Sequence, residues 1–387
     1  MRYGLPGIAL VLLAAGARQA APEKPAAPRV AIIPIAGGLD QAHAALIRRA
    51  CRQIRAEKPA LVIFEIDTPG GEITLMSRIG EQITSLAPIP TVAYVRPLAA
   101  SELTGGAWSA GAYLAFCCKQ IYMFPGTVIG AAAPITMGPE GPTAVSEKMV
   151  SAFRELFRAR AEQNGYPANL AVAMVDQDLE VFEVLVEGRK LFLTAGEIEK
   201  LKDEGRKFDV PTVPYDAKDK LLTMTDRRVV DAGMGRIAGS RQTIYSDLGI
   251  SAPVENLIEA SWSEDLVGFV TSATVQFILL VAGILGIWVE FKTPGFGAAG
   301  MIGIFAIALL LFGHYLAGLA QVMDIVLIIA GIGLITVEIL VLPGTGLFAI
   351  TFATCSHAAW FTRTNSDVSS AGTTFKWPSA LTTGGSL

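Results

Sequence analysis

Residues 266–289 run for 24 positions without a charged side chain. A stretch this long and apolar does not suit the surface of a water-soluble domain. In a bilayer its backbone groups must satisfy one another, so it is read as a helix. At about 1.5 Å per residue it is long enough to cross roughly 30 Å of hydrocarbon. Residues 296–319 form a second such run, and 325–342 a third that is interrupted by Glu338. The run 347–353 after Pro343-Gly344 is too short to cross unaided. A membrane helix bundle over residues 266–353, with three spans and at most a partial fourth, is therefore expected. Composition agrees, because 52% hydrophobic and 17% charged residues is too apolar for an ordinary soluble protein of this length. Glu338 reads either as a functional intramembrane carboxyl or as one that lies near an interface or packs against a neighbouring span.

At the other end, Arg2 precedes the apolar run 5–15, and Ala15-Gly16-Ala17 supplies small residues ahead of a polar stretch. This is the pattern of an export signal, expected over residues 1–20, with an uncleaved anchor as the other reading. Between signal and membrane block, residues 29–258 alternate short β-rich runs with helix-length segments: 30–35, 43–55, 60–66, 72–86 and 91–95, then 119–123 and a long helical stretch 145–164. The strands are continuous apolar runs, which suits a parallel sheet covered on both faces. The fold class is α/β. A polar excursion follows, with Glu187-Gly188 turning between two β-rich runs, and the role of residues 181–214 stays open. Residues 356–387 are rich in Ser, Thr and Gly without periodicity and read as a disordered tail. Lys292 falls between the first two spans, no Lys or Arg between the second and third, and Arg363 and Lys376 after the third. With residues 29–258 outside the cytoplasm, that distribution obeys the positive-inside rule and predicts a multi-pass protein of the cell membrane.

Several classes are disfavoured at once. A formal charge of -4 with no long basic run argues against a nucleic-acid partner. Four cysteines without Cys-x-x-Cys spacing and three histidines indicate neither a disulfide framework nor a metal cage, and no cofactor is called for.

Two local patterns carry chemistry. Asp67-Thr68-Pro69-Gly70-Gly71 closes an apolar strand; glycines there let backbone N–H groups approach a ligand because no Cβ blocks them. Such a turn can hold an oxyanion, although Pro-Gly-Gly is also an ordinary loop. Trp108-Ser109-Ala110-Gly111-Ala112 leads into an apolar stretch, which puts Ser109 at a helix N-terminus, either as a nucleophile favoured by the dipole or as a plain cap. A serine hydroxyl needs a base to remove its proton. His43 is the sole histidine before the membrane block. Lys148 is the better candidate, since it opens a helix beyond a Gly/Pro-rich loop at 136–142 that could fold it back over the serine. A lysine must be neutral to act as a base, which burial beside apolar groups favours. A solvated surface lysine is the competing reading.

From residue 29 to 258 the chain resembles the NfeD family of membrane-bound serine peptidases, relatives of the Clp protease and crotonase folds. The likeness rests on the Asp67 to Gly71 turn, Ser109-Ala110-Gly111-Ala112, Tyr122-Met123-Phe124-Pro125-Gly126-Thr127-Val128-Ile129-Gly130-Ala131-Ala132-Ala133-Pro134, Ser146-Glu147-Lys148 and Leu222-Thr223-Met224-Thr225. Thr293-Pro294-Gly295-Phe296-Gly297 and Leu342-Pro343-Gly344-Thr345-Gly346 extend it into the membrane block. The resemblance implies a Clp protease/crotonase-like domain in which Ser109 attacks a peptide carbonyl and Lys148 serves as general base and then acid. Gly70, Gly71 and the Ala110 N–H would line the oxyanion hole. It further implies an apolar substrate segment in a stomatin-like membrane protein, and a homodimer or higher oligomer. Departures from the family pattern are the irregular stretch 101–108, which makes Ser101 a minor rival nucleophile, Cys117-Cys118-Lys119-Gln120 where an acidic residue is usual, and a stretch after Cys355 too short for the soluble β-barrel in which many members end. A signal-peptide peptidase shares the dyad logic but needs no multi-span C-terminal block. A non-catalytic membrane scaffold, with Ser109 a cap and Lys148 a surface charge, is the reading from another class.

Overall fold

A computed structural model describes residues 27–99, 105–138, 141–209, 213–292, 297–316, 326 and 330–331. The expected signal peptide, Ser101, all but residues 326 and 330–331 of the expected third span, Glu338 and the tail lie outside the described residues. The described residues form two compact units: one holds residues 27–39 with Ile47–Glu259, the other Asp40–Leu46 with the described residues from Ala260 onward.

The first unit opens with β1 (Arg29–Ala36), the part of α1 (Gln41–Glu57) from Ile47 onward, β2 (Leu61–Asp67), α2 (Ile73–Thr84) and β3 (Thr91–Val95). Then come β4 (Gly106–Trp108), α3 (Ala110–Phe116), β5 (Gln120–Met123) and β6 (Val128–Gly130). The middle holds β7 (Ile135–Gly138), β8 (Gly141–Ala144), α4 (Glu147–Asn164), α5 (Ala168–Ala173), β9 (Phe182–Val186), β10 (Arg189–Leu193), α6 (Ala195–Asp203) and β11 (Phe208–Asp209). It closes with β12 (Thr223–Thr225), α7 (Asp226–Asp231), β13 (Arg236–Ile237), α8 (Arg241–Asp247) and β14 (Val254–Leu257).

Six strands form a parallel sheet in the order β13-β5-β3-β2-β1-β14. Its central strands are buried along their whole length, as their unbroken apolar runs require. One face packs Val30, Ile32, Leu61, Ile63, Val92 and Tyr94 against Ile244 and Tyr245 of α8. The alternate residues Ile33, Phe64, Ile66 and Val95 are equally enclosed on the other face. Each such side chain contributes roughly 1.5–3 kcal/mol of apolar burial. The one carboxylate within β2 before its end, Glu65, is buried but paired: Arg241 Nε and Nη2 donate to it at 2.7 and 3.0 Å, and Arg96 Nη1 at 3.1 Å. That pairing holds the Arg241 guanidinium above its usual range.

Three smaller sheets surround this core. In one, β6 lies between β4, which runs parallel to it, and β12, which runs antiparallel. β7 and β8 pair as an antiparallel hairpin from Ile135↔Ala144 to Gly138↔Gly141, where a Gly/Pro-rich loop was expected from sequence. The excursion left open in the sequence is a third small sheet, β10-β9-β11, with its own apolar cluster of Val184, Val186 and Ile198. Its helix α6 starts at a capping box, Thr194 with Glu197.

The second unit contains α9 (Trp262–Thr271), α10 (Ala273–Lys292) and α11 (Ala298–Leu316). The apolar run that begins at Leu266 is therefore not one helix. Ser272 is extended (φ -63, ψ 139), so the first residues of that run close α9 and the span-length helix starts at Ala273. Both α10 and α11 are long and apolar enough to cross a bilayer. They pack at glycines: a Cβ on Gly286 would stand 2.6 Å from the Ala299 carbonyl oxygen, so only the bare backbone allows that approach. Glu290 closes the hairpin by accepting the Gly297 N–H at 2.6 Å and the Gly300 N–H at 2.9 Å at the positive end of α11.

Candidate functional site

The end of β2 is where Asp67 stops the apolar strand and Pro69-Gly70-Gly71 turns the chain. Asp67 is fully buried, and its carboxylate accepts three backbone N–H groups: Leu98 at 2.9 Å, Gly105 at 3.1 Å and Gly106 at 3.0 Å. These bonds lay β4 beside the turn. Two backbone bonds complete the seam, Thr68 N–H to the Gly106 carbonyl at 2.9 Å and Trp108 N–H to the Thr68 carbonyl at 3.0 Å. The residue that follows β4 is Ser109.

Ser109 is the N-cap of α3, as its sequence context suggested, but it does not cap by side chain. Its backbone sits at φ +52, ψ -116, a conformation that is uncommon and costs of order 1–3 kcal/mol for a non-glycine residue. The N–H of Ser109 is tied to the Gly130 carbonyl at 3.0 Å, so β6 holds the strained residue from behind. Gly70 (φ +109) faces it from the turn. A Cβ there would fall 2.8 Å from Ser109 Cβ, 3.0 Å from its Oγ and 3.2 Å from the Ala110 nitrogen. Gly111 is similarly close to Thr68, with a Cβ there 2.6 Å from Thr68 Cγ2. The hydroxyl thus emerges at a strand-to-helix corner against bare backbone.

Of the predicted oxyanion donors, the Gly70 N–H is already directed at Thr68 Oγ1, 3.1 Å away. Gly70 supplies room, whereas Gly71 and Ala110 carry N–H groups for which no acceptor appears among the described residues.

Lys148 departs from expectation. It lies on the first turn of α4 and is exposed, where a general base was expected in dry surroundings. The helix start is nevertheless fixed: Arg154 Nη1 donates to Glu147 at 2.8 Å, and its Nε lies 2.7 Å from Asp176 Oδ2, close but not aligned as a hydrogen bond. Ile135 on β7 and Met149 beside the lysine are exposed as well. The chain by itself thus builds the corner that holds Ser109 with Gly70, Gly71 and Ala110, and leaves Lys148 in solvent. His43 pairs with Asp40, its Nδ1 2.7 Å from Oδ1. The thiols next to α3 are poor rivals as nucleophiles, since burial pushes Cys117 up to about 12 and Cys118 well above its usual range. Among the described residues no cluster of three His, Cys, Asp or Glu side chains could hold a metal ion.

In the sequence, Asp67 and Gly130 stand only as parts of longer motifs, with no role of their own. The sole signal was an acidic residue ending a buried strand, which has to find donors somewhere.

Fold and composition together define a membrane protein: a mixed α/β domain joined to a helical membrane domain. The chain belongs to the NfeD family. Residues 29–209 match the NfeD1b N-terminal domain and residues 274–386 the NfeD integral membrane domain. Membrane protein NfeD1b of Bacillus subtilis is 29% identical over 338 residues, which is 87% of this chain and 67% of that protein. Membrane-bound protease PH1510 of Pyrococcus horikoshii is 27% identical over 274 residues, 70% of this chain and 54% of that protein. The chain therefore spans between about half and two thirds of the length of these relatives. Among solved structures, a variant of the 1510-N membrane-bound stomatin-specific protease bound to a substrate peptide is similar with a TM-score of 0.47 and 20% identity. That likeness covers 64% of this chain and 99% of the other. The 1510-N protease specific for a stomatin homologue from Pyrococcus horikoshii gives 0.41 and 19%, over 64% and 100%.

Proposed function

We propose that this protein is a membrane-anchored serine endopeptidase that cleaves apolar segments of membrane proteins, with a stomatin-like protein as partner substrate. The observation that carries the reading is Ser109. A serine used only as a cap would adopt extended backbone and bond its hydroxyl to the helix; this one is held at φ +52 with the hydroxyl free of the cap and Gly70 cleared away before it. Kinship with a membrane-bound protease supports the same reading.

In the proposed reaction Ser109 Oγ attacks the scissile carbonyl carbon while the neutral Lys148 amine takes its proton. The oxyanion that forms is met by the N–H groups of Gly71 and Ala110, at the positive end of α3. Collapse breaks the C–N bond, the departing amine takes the proton from the Lys148 ammonium, and water later releases the acyl group from Ser109. Lys148 is exposed, and a lysine serves as a base only as the neutral amine, which dry surroundings favour, so the side chain must be covered before it can act. Assembly into a homodimer or higher oligomer over the start of α4 would provide that cover. The multi-pass arrangement with residues 29–258 outside the cytoplasm is part of the same proposal.

The exposure of Lys148 favours one other reading, a non-catalytic scaffold in which the lysine is a surface charge. A fluorophosphonate probe on the full-length protein in detergent or vesicles separates the two. Labelling that is lost in both Ser109→Ala and Lys148→Ala supports the dyad. Labelling that survives Lys148→Ala removes the lysine from the mechanism, and absence of labelling in the folded wild type favours the scaffold.

A further inference from the structure

We propose that α9 is an interfacial helix, lying along the lipid–water boundary with Trp262, Leu266 and Phe269 inserted among lipid headgroups and upper acyl chains. Only the membrane character of the chain is needed for this, and the peptidase reading is not.

The three residues recur at i, i+4 and i+7 and so share one face of the helix. They are 78%, 40% and 64% exposed. The opposite face is used up: Val267 and Val270 are buried, and Val270 sits where a Cβ on Gly313 of α11 would meet its Cγ1 at 2.5 Å. Glu264 is also turned inward, accepting the Ser261 N–H at 2.7 Å and the Ser261 hydroxyl at 3.0 Å, so the helix start is fixed. What remains outward is aromatic and aliphatic, flanked by Ser263 and Asp265. Two exposed aromatics and a leucine in one stripe on a ten-residue helix are costly in water at about 25 cal/mol per Å².

The occupant follows from continuity. One residue, Ser272, separates α9 from α10, whose side chains Phe277, Ile278 and Val281 are exposed and apolar. Gly313 lies in the last turn of α11, so α9 packs at the same end of the hairpin at which α10 begins. Tyr315, exposed on that turn, stands at this level too. Trp288 is exposed near the far end of α10, and a 20-residue helix puts the two ends about 30 Å apart. Aromatic side chains at both levels of a helix pair of bilayer length mark two interfaces, and α9 lies at the first. Its acidic residues and lack of Lys or Arg mean that apolar insertion, and not attraction to anionic headgroups, drives the contact.

The test uses full-length protein in phosphatidylcholine vesicles, with and without phosphatidylglycerol. In a Cys355→Ser background that retains the three buried thiols, Ser263→Cys, Asp265→Cys, Leu266→Cys and Phe269→Cys each receive one environment-sensitive fluorophore. Quenching by lipids that carry a nitroxide on an upper acyl carbon should be at least threefold stronger at 266 and 269 than at 263 and 265. Iodide quenching should show the reverse order, and both patterns should be the same in the two lipid mixtures. Equal iodide quenching at all four sites overturns the proposal. So does shielding of 266 and 269 from both quenchers, which would mean that a second copy or another protein covers the face.

Discussion

Asp67→Asn separates what positions Ser109 from what merely stabilises the domain. The carboxylate has no exposed surface and accepts three N–H groups from residues 98, 105 and 106. The amide keeps one oxygen. If that oxygen stays on Gly105 and Gly106, the new NH2 confronts the Leu98 N–H, which loses a charge-assisted acceptor and is left unsatisfied. A hydrogen bond to a charged group is worth about 1.5–3 kcal/mol and an orphaned buried N–H costs about 1–3 kcal/mol, so the overlapping terms come to roughly 2–4 kcal/mol. For a domain of this size each kcal/mol moves the midpoint by about 2–4 °C. Thermal unfolding of the detergent-solubilised protein, followed by circular dichroism, should therefore drop by about 4–16 °C. The same bonds hold β4, and with it the strained Ser109, against the turn. Probe labelling at 25 °C should fall about tenfold or more even where the variant is fully folded, since 1.4 kcal/mol of lost alignment is a factor of ten. Val184→Ala, in the separate β9–α6 cluster, is the comparison: it should cost roughly 1–3 kcal/mol and leave labelling unchanged. If Asp67→Asn leaves the midpoint within a degree of wild type, the bonding reading is wrong. If it lowers the midpoint while labelling matches Val184→Ala, Asp67 supports the fold and does not position the serine.

Two further expectations concern other parts of the first unit. Gly70→Ala forces φ +109 on a residue with a Cβ and sets that Cβ 2.8 Å from Ser109 Cβ. Labelling should fall more than tenfold, with about 1–3 kcal/mol of strain in denaturant titration, whereas Gly38→Ala, which meets nothing within 4 Å, should be silent. Asp216 is 7% exposed and burial raises its carboxyl from 3.8 to about 6, against opposing pulls from Arg228 and Lys220. The folded value lies above the unfolded one, so the unfolded state ionises first and stability falls as pH rises from about 4 to 6, by up to about 3 kcal/mol at 1.36 kcal/mol per unit. Asp216→Asn should flatten that part of the stability–pH curve, and an unchanged slope would refute the assignment.

How much of this was legible depended on the range of the interactions. The central strands could be read because each is a continuous run, such as 61–67, that only a doubly covered parallel sheet can use. Ser109 at a helix start could be read from small residues leading into an apolar stretch. Its φ could not, because the strain is imposed by Gly130 and Gly70 from distant parts of the chain. The sheet β4-β6-β12 escaped notice since its strands are three residues long, below the length at which periodicity carries a signal. The role of Asp67 was hidden by sequence distance, as its donors stand 31 to 39 residues away. Hydropathy found the membrane block but merged α9 with α10, because a break made by one extended serine changes no hydropathy average.

The two halves of the proposed dyad are encoded differently. Ser109 is fixed by bonds within the chain: the Gly130 carbonyl behind it, the Asp67 carboxylate holding its strand, and a glycine at the one place where a side chain would block it. None of these depends on a partner, so the Ser109 corner persists in an isolated chain. Lys148 has no such enclosure. Arg154, between Glu147 and Asp176, sets the direction of α4, yet the lysine itself meets solvent, as do Met149 beside it and Ile135 on β7. Desolvating an amine takes apolar surface, and the first turn of α4 lacks that surface until something packs on it. On the proposed mechanism such a division would keep a peptidase silent as a single chain: the strained serine is built in advance, while Lys148 would become competent as a base only where assembly or substrate removes water from the helix start.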